Sequence, residues 1–179
     1  IFDGPGKTEF DLKYAITQQI RSINIENLDE IDFINDYSIS KGLVTNIGIR
    51  INPNIDGYTM EKITTGKTGG KFGLSLDQIN FESISKFKGV NLTTLSEHIG
   101  SQIIDHHQLI KSYKELISLA DNLKKNNILI ETLDFGGGFG VLDHSDKKMN
   151  FSEWEKDLND ALKEKSYKII FEPGRFIVA

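Results

Sequence analysis

The sequence predicts an α/β fold with a parallel sheet, and three observations carry the prediction. Short apolar runs alternate with segments of helical apolar spacing along the whole chain. Three of those runs stop at residues that can do chemistry: 90–95 leads to His98-Ile-Gly-Ser101, 128–135 to Gly136-Gly-Gly138, and 167–171 to Glu172-Pro-Gly-Arg175. Right-handed strand–helix–strand crossovers make the strands parallel, so the three ends lie at one sheet edge, the carboxyl edge where α/β folds collect ligands. A doubly wound sheet and a (β/α)8 barrel both satisfy the alternation. Site residues on at least three strand ends favour the barrel.

The elements follow in order. Ile1-Phe2 ends a strand, and Thr8 with Asp11 three residues on signals a helix carrying Leu12, Ala15, Ile16 and Ile20. Ile23-Asn-Ile-Glu26 is a short strand; Asn27 with Glu30 starts the next helix, with Leu28, Ile31, Ile34 and Ile39 as its apolar positions. Asn46-Ile-Gly-Ile-Arg-Ile51 is a strand ended by Asn52-Pro53, and the glycine-rich segment 56–73 reads as a loop near the site. Residues 77–87 give a weak helical signal, and 89–95 alternates as a strand does. From Asp105 to Lys125 runs the cleanest amphipathic helix, on Leu109, Ile110, Tyr113, Leu116, Ile117, Ala120 and Leu123. Ser152 with Glu155 starts a helix with Trp154, Leu158, Ala161 and Leu162 before the last strand, giving six strands. The chain opens on Ile1 and ends in the apolar run Phe176-Ile-Val-Ala179, the context of an internal piece of a longer protein.

With 179 residues, 38% of them hydrophobic, one sizeable core is expected and two domains are not. A net charge of -5 and the lack of a basic run argue against nucleic acid as a partner. The absence of cysteine excludes disulfides and thiolate metal sites and fits a reducing cytosol. No apolar run approaches the ~18 residues of a membrane span, so a soluble, cytoplasmic protein is expected.

Gly136, Gly137 and Gly138 lack a Cβ, which lets backbone amides approach a ligand, and such amides suit an anion. With the Ser101 hydroxyl and the Arg175 guanidinium facing them, the set fits a phosphate, leaving His98 and Glu172 for an attached organic ring. The plain structural alternatives are a flexible turn, a core histidine and a Glu172–Arg175 salt bridge. Glu97 reads as an outward residue of the pleat. A carboxylate beside a heteroaromatic nitrogen keeps that nitrogen protonated, and a protonated pyridine is a strong electron sink. Other motifs fail on spacing. Gly6-Lys7-Thr8 lacks the first glycine of a phosphate loop, since that position is Ile1, and the dinucleotide fingerprint read from Gly136 lands on Val141. His106 and His107, adjacent on a helix, point about 100° apart and have no third ligand at a compatible spacing, so no metal is expected.

Taken together and in order, Gly4-Pro-Gly-Lys-Thr8, Ile23-Asn-Ile-Glu26, Arg50-Ile-Asn-Pro53, Thr65-Gly66 with Lys71-Phe-Gly73, His98-Ile-Gly-Ser-Gln102, Leu133-Asp-Phe-Gly-Gly-Gly138 and Glu172-Pro-Gly-Arg175 carry a resemblance. Over its full length the chain resembles the diaminopimelate decarboxylase family, pyridoxal 5'-phosphate enzymes built on an alanine-racemase-like barrel. The resemblance implies that residues 1–179 are the cofactor-binding (β/α)8 barrel domain, incomplete at both ends and without the C-terminal β domain. It implies His98 on one face of the cofactor ring, Ser101 and Gly136 to Gly138 at its phosphate with Gly174, and Glu172 at its pyridinium nitrogen. Arg175 would meet a substrate carboxylate or the phosphate. The implied reaction is decarboxylation of meso-diaminopimelate to L-lysine in a homodimer; the alternatives are the same fold acting on ornithine, arginine or carboxynorspermidine, a non-catalytic pyridoxal phosphate carrier, and a flavin or sugar-phosphate barrel enzyme. The family's Schiff-base lysine has no counterpart here, neither Lys7 nor Lys71, so this piece alone is expected to be inactive. Ser96 stands where many members carry a second histidine, and Asp143 where a tyrosine is common.

Overall fold

A computed structural model describes residues 1–52, 72–141 and 148–179. Five parallel strands pair in chain order: β1 (Ile23–Ile25), β2 (Thr45–Ile51), β3 (Val90–Glu97), β4 (Thr132–Asp134) and β5 (Lys168–Ile170). The sixth expected strand is reduced to one parallel bridge, Phe2 to Ile23. A doubly wound sheet reverses its strand order midway, whereas an order that never reverses keeps every crossover on one face and curls into a barrel. The sheet is therefore an arc of a (β/α)8 barrel.

The helices are α1 (Glu9–Thr17), α2 (Leu28–Ser40), α3 (Phe81–Ile84), α4 (His106–Lys125), α5 (Phe151–Ala161) and α6 (Gly174–Val178). Thr8 and Asp11 form the reciprocal cap that the spacing at α1 predicts. At α2 the Asn27 side chain accepts the Glu30 amide, but the Glu30 carboxylate turns to the Glu26 amide at 2.8 Å and to Lys7 at 3.2 Å. Lys7 is thus a buried structural cation, which accounts for it without a phosphate. Ile31 and Ile34 are buried as expected, while Leu28 and Ile39 are exposed; Ser38 takes the inward place and meets Thr45 Oγ1 at 2.7 Å.

The weak signal over 77–87 resolves into a 3-10 turn, Leu76–Gln78, and the single turn α3. The amphipathic helix begins one residue later than expected, with Asp105 as its cap, and its expected apolar positions are buried. For α5 the cap is Asn150, not Ser152, because Asn150 Oδ1 reaches the Glu153 amide at 3.3 Å. Residues 128–130 lie outside the β4 ladder despite their apolar character, Glu131 joins its neighbours by single backbone bonds to Thr93 and Lys168, and 176–178 are wound into α6. The loop expected over 56–73 lies outside the described residues as far as 71, as do Pro53, Thr65, Gly66, Lys71 and Asp143.

The core fills the layer between the sheet and its helices, with Ile23, Ile25, Ile47, Ile49, Leu95 and Leu133 packed against Ile34, Leu109 and Leu116. The opposite face of the arc is polar. Arg50, Ser96 and Asp134 stand in one register row across β2, β3 and β4, and Asn24 on β1 lies over Gly48, where an added Cβ would come within 2.0 Å of Asn24 Oδ1.

Candidate functional site

Parallel strands put all five carboxyl ends at one edge, and three loops interlock there. Ile103 donates to the Gly138 carbonyl at 2.8 Å and its own carbonyl accepts Gly140 N at 2.9 Å, which sews the loop after β3 to the glycine loop after β4. Glu172 N donates to the Gly136 carbonyl at 2.8 Å, which ties in the loop after β5. The glycines explain how backbones come so close. A Cβ at Gly136 would lie 2.3 Å from the Glu97 carbonyl oxygen, one at Gly137 2.1 Å from that of Glu172, and one at Gly138 2.3 Å from that of Gly100. Glycine is required here first for loop-on-loop packing, with Gly136 and Gly138 also at positive φ.

Within that packing two of the three glycine amides already have protein acceptors. Gly136 N donates to Asp134 Oδ1 at 3.0 Å, Gly137 N to His98 Nδ1 at 3.2 Å, and Gly174 N to the Glu172 carbonyl at 2.8 Å. What remains is a cavity of ≈ 180 Å³ whose lining includes His98, Ser101, Gly138, Glu172, Gly174 and Arg175. Six of the eight predicted site residues thus meet at one hollow; Gly136 and Gly137 are buried just behind it. No ion pair joins Glu172 to Arg175 among the described residues. The volume is below the ~300–1,000 Å³ of whole-ligand pockets and suits an anionic group with part of a ring. The hydroxyl, guanidinium, carboxyl and imidazole in its lining are together the polar set that a phosphorylated pyridine needs. Two larger hollows, ≈ 600 Å³ beside Asn80 and ≈ 510 Å³ beside Lys125, are shallow and lie away from the carboxyl edge.

The polar face beneath the cavity sets its charge. Arg50 Nη1 lies 2.6 Å from Glu26 Oε1 and 3.8 Å from Asp3, and Glu26 Oε2 accepts Gly73 N at 2.9 Å. Burial pushes Asp134 up to about 6. Burial also raises Glu172, to about 7, with Asp134 and Asp3 acting the same way and Arg50 opposing. Glu172 is open to solvent over more than a third of its surface, so desolvation acts on it only in part. His98 is held below the ordinary imidazole range by burial and by the Arg50 charge.

Asn24, Glu26, Arg50 and Asp134 were not singled out from the residues as a site. A signal does exist: Ile23-Asn-Ile25, Ile49-Arg-Ile51 and Leu133-Asp-Phe135 each place one polar residue between large apolar ones, and these polar residues face away from the core. Glu97 does point away from the cavity, as a pleat requires, yet it is 2% exposed under α4, and burial raises its carboxyl to about 8. Asp105, His106 and His107 bring ligand atoms within 4.8 Å of one another. His107 Nδ1 is 2.9 Å from Asp105 and His106 Nε2 is 3.3 Å from Asp157, at the positive end of the α4 dipole, which disfavours a cation.

Fold and site together define an α/β-barrel domain with a polar cavity at its carboxyl edge. Residues 1–179 match the family model described as the pyridoxal binding domain of pyridoxal-dependent decarboxylases, and the chain belongs to that family. A diaminopimelate decarboxylase of Vibrio cholerae is 34% identical over 182 residues, 100% of this chain and 44% of the relative. The crystal structure of diaminopimelate decarboxylase from Helicobacter pylori complexed with L-lysine superposes with a TM-score of 0.90 at 31% identity, over 97% of this chain and 45% of that one. A lysine/ornithine decarboxylase from Vibrio vulnificus complexed with putrescine, 22% identical, with a TM-score of 0.73 and covering 97% of this chain and 43% of that one, shares the fold. The chain spans less than half the length of these relatives. Among the described residues no helix is long and apolar enough to cross a membrane.

Proposed function

We propose that this chain supplies the pyridoxal 5'-phosphate half-site of a decarboxylase that converts meso-diaminopimelate to L-lysine and CO2. The observation that carries the reading is the meeting of His98, Ser101, Gly138, Glu172, Gly174 and Arg175 at one cavity, on loops that follow three different strands. The full-length family match and relatives of 31–34% identity named for that activity support it. The bound cofactor supplies the electron sink for the carbon left by departing CO2. In this reading the protein's residues orient and protonate. Ser101 and Gly138 hold the phosphate beside the turn at Gly174, with Gly136 and Gly137 setting the loop behind it. Arg175 meets the phosphate or a substrate carboxylate, a planar guanidinium suiting either. Glu172 keeps the ring nitrogen protonated, and His98 covers one ring face and excludes water. The enzyme acts on a small amino acid in the cytoplasm, as a homodimer.

The test uses the full-length protein that contains this chain. Incubated with pyridoxal phosphate and meso-diaminopimelate, it releases lysine, followed by chromatography. Turnover of ornithine or arginine in its place overturns the substrate, and failure to bind pyridoxal phosphate overturns the site.

A further inference from the structure

Gly136 and Gly137 share one peptide unit, and both of its polar ends are used. Its carbonyl accepts the Glu172 amide at 2.8 Å, and its N–H donates to His98 Nδ1 at 3.2 Å. The unit is a strut between the loops that carry the acid and the imidazole. Its orientation is set from the residue before the glycines. Asp134 Oδ1 accepts Gly136 N at 3.0 Å, closing a turn of the kind aspartate makes with the amide two residues on, and Oδ2 accepts Asn24 Nδ2 at 3.4 Å. Asn24 is on β1, so Asp134 is anchored across the polar face of the arc. It is 1% exposed and holds the first glycine at φ 61°.

A backbone amide can only donate, so the nitrogen it meets must be unprotonated. Neutral His98 then carries its proton on Nε2. Becoming an imidazolium would require breaking the Gly137 bond and turning the strut. We propose that Asp134 is a positioning residue of the pyridoxal site, which through the Gly136–Gly137 peptide unit fixes His98 as the neutral Nε2–H tautomer. The assignment rests on the functional reading only in naming the site; the tautomer follows from the geometry alone. The charged groups around His98 act in opposed directions, with Arg50 on β2 favouring the neutral ring and Asp3 opposing. The hydrogen bonds rather than the net charge therefore do the fixing, which separates Asp134→Ala from Asp134→Asn. The asparagine keeps an acceptor for Gly136, and once the Asn24 amide flips, its NH2 can donate to Asn24 Oδ1, an atom without a partner among the described residues.

Selective ¹⁵N-histidine labelling of the full-length protein, with the His98 signal assigned by its loss in His98→Gln, reads the tautomer without cofactor or turnover. Wild type and Asp134→Asn are expected to show an unprotonated Nδ1 and a protonated Nε2. Asp134→Ala is expected to show mixed tautomers and pyridoxal phosphate affinity weakened ~10-fold or more, the worth of a charged hydrogen bond. A wild-type His98 protonated on Nδ1, or an Asp134→Ala protein that keeps the single Nε2–H form, overturns the proposal. If Asp134→Ala does not fold, a wild-type His98 protonated on Nδ1 still overturns the proposal, and so does an Asp134→Asn protein with mixed tautomers. Should the tautomers behave as expected while wild type fails to bind pyridoxal phosphate, the role of Asp134 stands and the functional reading falls.

Discussion

Glu172 and Glu97 are both acids held above the ordinary carboxylate range, for different reasons. Glu172 borders the cavity among other charges, whereas Glu97 is enclosed between β3 and α4, with Ser112 drawing it down against burial. Substituting Glu172 by alanine is expected to leave pyridoxal phosphate bound, by its absorbance, and to cut turnover on the order of 100-fold or more by removing the charge that holds the ring proton. An unchanged rate would contradict its role. Glu97 makes a prediction about stability. Its carboxyl titrates near 4.5 unfolded and about 8 folded, so the unfolded chain releases the proton first. Stability is then fully present below the lower value and declines as pH rises toward 8, by at most about 1.4 kcal/mol per pH unit. Urea unfolding between pH 5 and 8 should show that slope in wild type and lose it in Glu97→Gln.

At the scale of elements, the glycine loop is the part that tolerates least. A methyl group at Gly137 would press on the Glu172 carbonyl at 2.1 Å, backbone against backbone, with no side chain able to give way. Gly137→Ala is expected to cost about 1–3 kcal/mol in chemical denaturation and to weaken pyridoxal phosphate binding by spreading the loops after β4 and β5. Gly6→Ala, where an added Cβ meets nothing within 4 Å, is the matched control. The element pattern was largely legible because caps and apolar periods are local: Thr8 and Asn27 each cap the helix their spacing predicts. It failed where a tertiary partner decides. Glu30 left its cap for Lys7, Asn150 displaced Ser152, and 128–130 is apolar without pairing. The candidate site was legible in its lining, since each strand end carried its own motif. The purpose of the glycines was not, because carbonyl oxygens from two other loops set it.

Across the whole molecule, the arc has one apolar layer facing its helices and one polar face, and the outer side of β5 pairs with no strand among the described residues. Nearby Ile177 and Val178 are 72% and 84% exposed. Expressed by itself, the 179-residue chain is expected to self-associate, since an open parallel edge beside exposed apolar side chains invites pairing. Sedimentation velocity at micromolar concentration checks this, and a clean monomer would refute it. The barrel class itself was legible only as a preference, because alternation suits two topologies and strand order is a property of the folded sheet.

The unreversed order of the five strands has a consequence for how the chain is made. Each strand docks on the one translated just before it, so a nascent chain can extend its sheet from the ribosome as each crossover emerges, without waiting for a distant segment. The hollow at the carboxyl edge closes last, when Glu172 arrives beside a glycine turn and an imidazole already in place.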